Sequence, residues 1–353
     1  MRFDELWLAS VGTCLPPVLT VAEAARQGWC GAEQDGWTGV AVAGDIAPAD
    51  LAVRAARTAM DRSGIDPALV GLLLHVTSAP QGPNGWCPQH YIEHRVVGHG
   101  APAIELRQGS AGMLNAFDLA AGHLARPGPG AVLVTNGDNF GVEPATGYDP
   151  AVRWRCATNA GTNRGSILGD AGTAAVLSNR GGFARVRSIV NRSLSDLEEM
   201  YRGDERIFPP PVAADGPVRL GNRFAAYDAK SPGRLATALR RLRDARTGTA
   251  EEALADAGVT AADVTRVLHV FAGDERYVKH VLKPLGIDHT RGMLEFGRNL
   301  GHLGSGDQVA ALEHLVLTGQ LEPGDRVLVM ANGTGIAVGA AVLEILHRPE
   351  WTA

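Results

Sequence analysis

Apolar positions along the chain fall into short unbroken runs that alternate with stretches of helical spacing. Residues 6–17, LWLASVGTCLPP, read as a strand that Pro16 and Pro17 end. Thr20 to Val42 has no regular period and carries Trp29 and Trp37. Ala47 to Ser63 has helical spacing, with Pro48 at its start and Leu51, Val53, Ala55, Ala56 and Ala59 along one side. Leu69 to Val76 is a continuous apolar run, the mark of a strand buried on both faces. QGPNGW (81–86) breaks the pattern, and a helix containing Tyr91 and Ile92 follows. Ala103 to Leu124, AIELRQGSAGMLNAFDLAAGHL, opens as a short apolar and charged run and turns on Gln108-Gly109. It continues as a helix lined by Met113, Leu114, Phe117, Leu119, Ala120 and Leu124. A strand at 131–135, a long loop from Asp138 to Arg164, and a glycine turn into a strand at 166–178 complete this half.

From Gly181 the pattern begins again. Gly-Ser at 109–110 recurs as Gly-Ser at 304–305, 195 positions later, and Val132-Leu133-Val134 recurs as Val327-Leu328-Val329 at the same offset. ARTAMDRSGIDPALVGLLLHV (56–76) resembles AEEALADAGVTAADVTRVLHV (250–270), with His75 against His269. The order helix, strand, helix, strand therefore occurs twice, which predicts a duplicated α/β unit with halves 1–180 and 181–353. Ser195 to Phe224, polar and bearing Pro209, Pro210 and Pro211, reads as an insertion at about 195–225. A helix with a basic face covers Ser231 to Leu242. Then come helix 250–257, strand 264–271, helix 275–285, strand 292–296, helix 306–318 and strand 325–330. The turn NGTG (332–335) leads into a last strand, Ile336 to Leu346. Two similar halves of alternating strands and helices predict two packed sheets with helices between and outside them. Under that symmetry GHLGSGD (301–307) faces Ser110.

Composition narrows the function without naming it. Hydrophobic residues make up 45% of 353, enough for a large core. A formal charge of −5 argues against nucleic acid as the main partner. Cys14, Cys30, Cys87 and Cys156 lack metal-ligand spacing and imply neither zinc nor a disulfide framework. No leader-like segment and no membrane-length apolar run stand out, so a cytoplasmic protein is expected.

Candidate chemistry centres on Ser110. A serine at the start of a helix meets unpaired N–H groups and positive dipole, and Gly109, Ala111 and Gly112 leave room for a substrate. The plainer role for such a serine is an N-cap. A hydroxyl nucleophile needs a base beside it, and imidazole suits that task near neutral pH. His302 is in the facing segment, and Asp307, five residues on, is placed to orient the ring as in a Ser-His-Asp triad. Asp307 equally suits the start of the next helix. His269 with Asp274 repeats the five-residue spacing and ranks second, although His269 shares the register of His75 and reads as a buried structural histidine. The Ser110 N–H and an N–H of Gly333 or Gly335 are the natural oxyanion donors. Ser305, Ser78, Cys87 and Cys156 are weaker nucleophile candidates.

The order of these segments over nearly the whole chain resembles the thiolase superfamily, and within it the ketoacyl synthase III branch. AIELRQGSAGMLNAFDLAAG looks like that family's nucleophile helix, with Ser110 where condensing enzymes usually carry cysteine. GDAGTAAVLS and NGTGIAVGAAVLEI look like its glycine turns, and QGPNGW with RQGSAG resembles ketosynthase III-like acyltransferases of polyketide pathways. The resemblance implies a thiolase-like αβαβα arrangement and a homodimer with the nucleophile helices near the interface. It also implies an acyl thioester substrate on coenzyme A or the phosphopantetheine arm of an acyl carrier protein, with no bound cofactor. The condensing enzymes' histidine position falls on Phe271, and their asparagine position on His302, so carbon–carbon bond formation is not expected from the usual His/Asn pair.

Arg276, Lys279 and Lys283 share one side of a helix, and two of the chain's three lysines are among them. Related enzymes place basic residues there to meet an acidic carrier protein, and charge steering follows. Arg240, Arg241 and Arg243 form a second basic cluster, and Trp29, Trp37, Arg153 and Trp154 are candidates for stacking on a coenzyme A adenine. The expected function is an acyltransferase that makes an O-acyl-serine and passes the acyl group on. A starter-unit condensing enzyme using His269 and a non-catalytic partner like a chain-length factor are the alternatives.

Overall fold

A computed structural model describes residues 1–31, 34–128, 130–143, 147–154, 166–208 and 220–352. Its strands are β1 (Trp7–Cys14), β2 (Val18–Thr20), β3 (Gly39–Ala41), β4 (Val70–Thr77), β5 (Ala103–Arg107), β6 (Ala131–Asp138), β7 (Val142–Glu143), β8 (Gly147–Tyr148), β9 (Ala171–Ser178), β10 (Ala184–Ser193), β11 (Val264–Leu268), β12 (Arg326–Gly333) and β13 (Ala337–Ile345). The helices are α1 (Val21–Arg26), α2 (Pro48–Ser63), α3 (Pro88–Val96), α4 (Gly112–Leu124), α5 (Glu198–Arg202), α6 (Leu220–Ala229), α7 (Arg234–Ala257), α8 (Glu275–Leu282), α9 (Leu294–Leu300) and α10 (Asp307–Leu317).

Nine strands form one sheet in the order β11-β12-β13-β10-β1-β9-β6-β4-β5. The two packed parts of this sheet meet only through a short antiparallel contact, Trp7 opposite Arg185 and Leu8 opposite Ala184. Around that seam the layers are those of a mixed α/β thiolase-like fold. Helix α2 covers β1, β6 and β9 from outside, and α7 covers β10, β12 and β13. Between the two parts of the sheet, α4 touches β4, β6, β10 and β13, while α10 touches β1, β9, β11 and β12. β6 and β9 are buried along their whole length because helices lie on both faces. Gly172 lets α2 lie directly on β9, since a side chain there would strike the Leu51 carbonyl.

Local signals account for most boundaries. α2 starts with Pro48 in its first turn and stops at Gly64, whose φ of 61° is left-handed. The irregular stretch 20–42 proves to contain α1, which Thr20 and Glu23 start as a reciprocal capping box, and β3, which pairs with β2 just before that stretch. Two other expectations fail. The helices expected at 231–242 and 250–257 are one 24-residue helix, α7, which starts at Arg234. Gly248 costs that helix about 1 kcal/mol of propensity, but buried Arg246, Thr249, Ala250 and Ala253 hold it against the neighbouring layer. The strand expected at 292–296 is instead the start of α9. Met293 just before it, Gly297 and Leu300 are the buried positions, a helical spacing rather than an alternation. Gly297 also accepts the Phe271 ring, which a side chain at that position would overlap.

Among the described residues no helix is long and apolar enough to cross a membrane, and no cluster of three or more His, Cys, Asp or Glu suits a metal ion.

Candidate active site

Helix α4 and the segment before α10 begin on opposite sides of the same small space. Ser110 sits in a one-turn 3₁₀ helix, Gly109–Ala111, that leads into α4. Gly109 makes the turn with φ of 54°, against Thr334 of the NGTG turn. Ser305, buried in the facing segment, donates its hydroxyl hydrogen bond to the Gly109 carbonyl, so the two Gly-Ser turns hold each other. On the other side His302 is fixed by its backbone, its N–H donating to Ile167 O (2.7 Å) and its carbonyl accepting from Gly169 N (3.0 Å).

The three side chains expected to work together form one hydrogen-bonded row. Ser110 Oγ lies 2.7 Å from His302 Nε2, and His302 Nδ1 lies 2.6 Å from Asp307 Oδ2. Asp307 is completely buried and also accepts from Leu303 N (2.7 Å) and Phe271 N (2.8 Å). An ionised carboxylate only accepts, so the neutral ring carries its proton on Nδ1 and turns the Nε2 lone pair toward Ser110. Burial opposes charge on His302, but the charge and hydrogen bond of Asp307, with a further contribution from Asp138, outweigh it and raise the imidazole above its usual range. A base raised in this way can take the serine proton.

The second-ranked pair does not assemble. His269 donates from Nδ1 to Val270 O (2.8 Å), and its Nε2 accepts from Met293 N (3.0 Å), so both nitrogens are taken by backbone. Its pKa is lowered, chiefly by burial, which suits a neutral structural histidine. Asp274 instead caps α8, accepting from Arg276 N at 2.7 Å. Phe271 turns its buried ring edge-on to Phe296 and lends the row only its backbone N–H.

Gly333 closes another wall. A methyl group there would come within 2.7 Å of Gln108 O, 2.8 Å of Ala111 N and 3.1 Å of Ser110 N. The end of β12 therefore presses directly on the Ser110 turn. Gly335 has open space at the same test and φ of 119°. Gly333→Ala is expected to push the Ser110 turn out of line and lower single-turnover acylation at least about tenfold, since small misplacement is costly at a reacting centre. Intact-protein mass spectra taken over time would measure it.

Three proposed stacking residues are corrected by burial. Trp37 and Trp154 are core residues, and Arg153 is closed into an ion pair with Asp170 (3.0 Å) with neither side chain exposed. None of the three is open to an adenine; Trp29 is half-buried. Cys87 is exposed, Cys156 lies outside the described residues, and burial pushes the Cys14 and Cys30 thiols up. Arg276, Lys279 and Lys283 do share an exposed face of α8 and its continuation. With Arg243, Gly248 and His280 they line an open cleft of about 780 Å³ between α7 and α8. Arg276 pairs with Asp274, and Lys279 with Glu275 at 2.8 Å. Asp138, near this row, ends the buried strand β6, whereas the sequence marked it only as the start of the loop expected at 138–164.

Comparison with known proteins places this fold in a class of acyl-transferring enzyme. Residues 254–345 match the model of the 3-oxoacyl-[acyl-carrier-protein] synthase III C-terminal family. The solved structure of ChlB3, described as an acyltransferase, superposes with a TM-score of 0.88 at 37% identity, covering 99% of this chain and 100% of that one. The 3-oxoacyl-[acyl-carrier-protein] synthase III of Aquifex aeolicus shares the fold, with a TM-score of 0.75 at 18% identity, covering 96% of this chain and 99% of that one. β-Ketoacyl-[acyl-carrier-protein] synthase III 3 of Streptomyces coelicolor is 27% identical over 95% of this chain and 96% of its own. Acetoacetyl CoA synthase NphT7 of Streptomyces sp. CL190 is 25% identical over 86% of this chain and 85% of its own. The chain belongs to the ketoacyl synthase III family of the thiolase superfamily. It is an acyltransferase of that type, from a family that acts on acyl thioesters of coenzyme A or acyl carrier protein.

Proposed function

We propose that the enzyme transfers an acyl group through an O-acyl-serine at Ser110, from a thioester on coenzyme A or an acyl carrier protein to a second acceptor, in polyketide or other secondary-metabolite biosynthesis. The observation that carries this reading is the unbroken row Ser110–His302–Asp307, with steps of 2.7 and 2.6 Å. His302 Nε2 takes the hydroxyl proton while Ser110 Oγ forms a bond to the thioester carbonyl carbon. Asp307 balances the charge on the imidazolium. As the tetrahedral intermediate collapses, the carbon–sulfur bond breaks and the departing thiolate takes the proton from Nε2. The acceptor, a carrier thiol, hydroxyl or amine, then repeats the sequence in reverse. The Ser110 N–H and an N–H of Gly333 or Gly335 are assigned to the oxyanion.

Phe271 argues against decarboxylative condensation. Its ring is 1% exposed, beside Phe296 and Gly297, and offers no hydrogen bond to a developing enolate. An intact catalytic row argues against a non-catalytic partner. The half-exposed Ile104 on edge strand β5 and Leu119 on α4 support a homodimer formed along that edge.

The reading is tested by intact-protein mass spectrometry after mixing the enzyme with a panel of short acyl-coenzyme A and acyl-carrier thioesters, followed by malonyl-carrier protein. An acyl adduct that moves unchanged to an acceptor supports transfer. Growth of the chain with loss of carbon dioxide would show condensation, and no adduct from any donor would overturn the reading. The α8 cleft is assigned to the acidic carrier protein. Arg276→Glu with Lys283→Glu is expected to raise KM for a carrier-borne donor by about tenfold or more and to flatten its salt dependence, as loss of charge steering requires. Steady-state kinetics at two ionic strengths would measure this.

A further inference from the structure

Beside the row lies a second buried carboxylate, which the acyl-transfer steps do not use. Asp138 ends β6 with no exposed surface. Its Oδ1 accepts from the backbone N–H groups of Ser78 (2.9 Å) and Ala79 (2.8 Å), and its Oδ2 accepts from Asn136 Nδ2 (2.9 Å). These contacts tie the end of β6 to the chain leaving β4. The same Oδ2 meets the turn that joins His302 to Asp307. A methyl group added to Gly304 would lie 2.6 Å from it, and Gly304 takes the left-handed φ of 63° that brings its backbone so close. The carboxylate therefore lies against the His302–Asp307 turn and braces two other segments around it.

Charge makes the placement more than a brace. Burial pushes the Asp138 carboxyl up to about 6 against the pull of the groups that donate to it, and its charge helps to raise His302. Other ionisable groups on the neighbouring described elements have partners of their own. Asp307 is bound to His302, and Asp170, which accepts from Phe140 N, is paired with Arg153. Glu105 accepts from Thr77 Oγ1. His75, joined to this end of β6 through Gln81 and the Gly137 carbonyl, is pushed down to about 4, mainly by burial, and stays neutral.

We propose that Asp138 is a positioning residue for acyl transfer: it holds the Gly304 turn in place and supplies a second negative charge that supports His302 when the imidazolium forms. The idea rests on His302 being the base, as proposed above. Its role is exerted through His302 and not on the substrate.

Asp138→Asn tests it, because the amide keeps one acceptor oxygen while losing the charge. Two readouts apply. Single-turnover acylation across pH is expected to slow about tenfold, with its acidic limb moved down by about half a pH unit or more. In the Ser110→Ala background, ¹⁵N NMR is expected to show the His302 titration moving down by the same amount. A folded Asp138→Asn protein with an unmoved His302 titration overturns the proposal. If that variant does not fold, the reciprocal measurement decides. The ¹³C carboxyl titration of Asp138 must move up when His302 is replaced by Gln, since coupling between two sites acts equally on both. An unchanged titration there overturns the proposal as well. Neither NMR measurement needs Ser110 to be acylated, so a failure of the acyl-serine reading would be seen separately, as no adduct on the wild-type enzyme.

Discussion

Ser110→Ala will take up no acyl group from any thioester that labels the wild-type enzyme, and turnover will fall by about 10⁴-fold or more. The expectation follows from what else lies within reach. Ser305, its counterpart in the second half, is buried and already donates to the Gly109 carbonyl. Cys14 and Cys30 are partly buried with raised thiols, which leaves little thiolate near neutral pH. Ser110 is itself only partly buried, and its hydroxyl contributes one hydrogen bond, to His302. The fold should therefore survive, with a melting temperature within a few degrees of wild type. Adduct of equal mass and yield on the variant would move the chemistry to another residue.

Asp307→Asn should be almost as damaging to rate, for a different reason. Three donors converge on this carboxylate: His302 Nδ1–H, Leu303 N–H and Phe271 N–H. An amide has one accepting oxygen, so its NH₂ must face a donor or force the ring into the other tautomer. In that tautomer Nε2 carries the proton and has no lone pair for Ser110. Acylation should fall by about 10³–10⁴-fold. The pH profile should change too. With His302 as the proposed base, the neutral ring is the active form, so activity is expected to fall as pH drops through its raised pKa, above the usual 6.5. Without the Asp307 charge that limb must move to lower pH. Pre-steady-state mass spectrometry from pH 5 to 8 would follow both effects, and an unshifted limb would mean that Asp307 only caps α10.

Much of the fold is visible in one dimension because burial leaves periodic marks. The apolar runs at β4, β6, β9 and β12, and the helical spacing of α2, α4 and α10, are written in residues that cannot be polar without losing their burial. The repeat supplied the long-range fact that local pattern lacks, placing 301–307 opposite Ser110. The errors share one cause. At 292–296 a short apolar stretch fits either period, and contact with Phe271 through Gly297 selected the helix. In α7 the two helices expected at 231–242 and 250–257 run together through Gly248, where packing holds one continuous helix. Trp37, Arg153 and Trp154 looked like surface recognition residues because composition does not reveal depth. Arg153 is tolerated inside because Asp170 pairs with it and the carbonyls of Ala41 and Leu168 accept from it.

For the site, sequence alone determined the residue types and their order: a serine at a helix start, and a histidine and an aspartate five apart in the facing turn. It could not determine which histidine had a free nitrogen. His269 and His302 are both buried, both five residues from an aspartate, and both in plausible segments. They differ only in what surrounds them: backbone groups saturate His269, whereas His302 has a carboxylate on one nitrogen and a hydroxyl on the other. Nor did the sequence mark Asp138, whose charge reaches His302 across a turn from a strand more than 160 residues away in the chain. Periodicity records which face of an element is buried, but hydrogen-bond partners and electric fields depend on distances between elements, which exist only once the chain has packed.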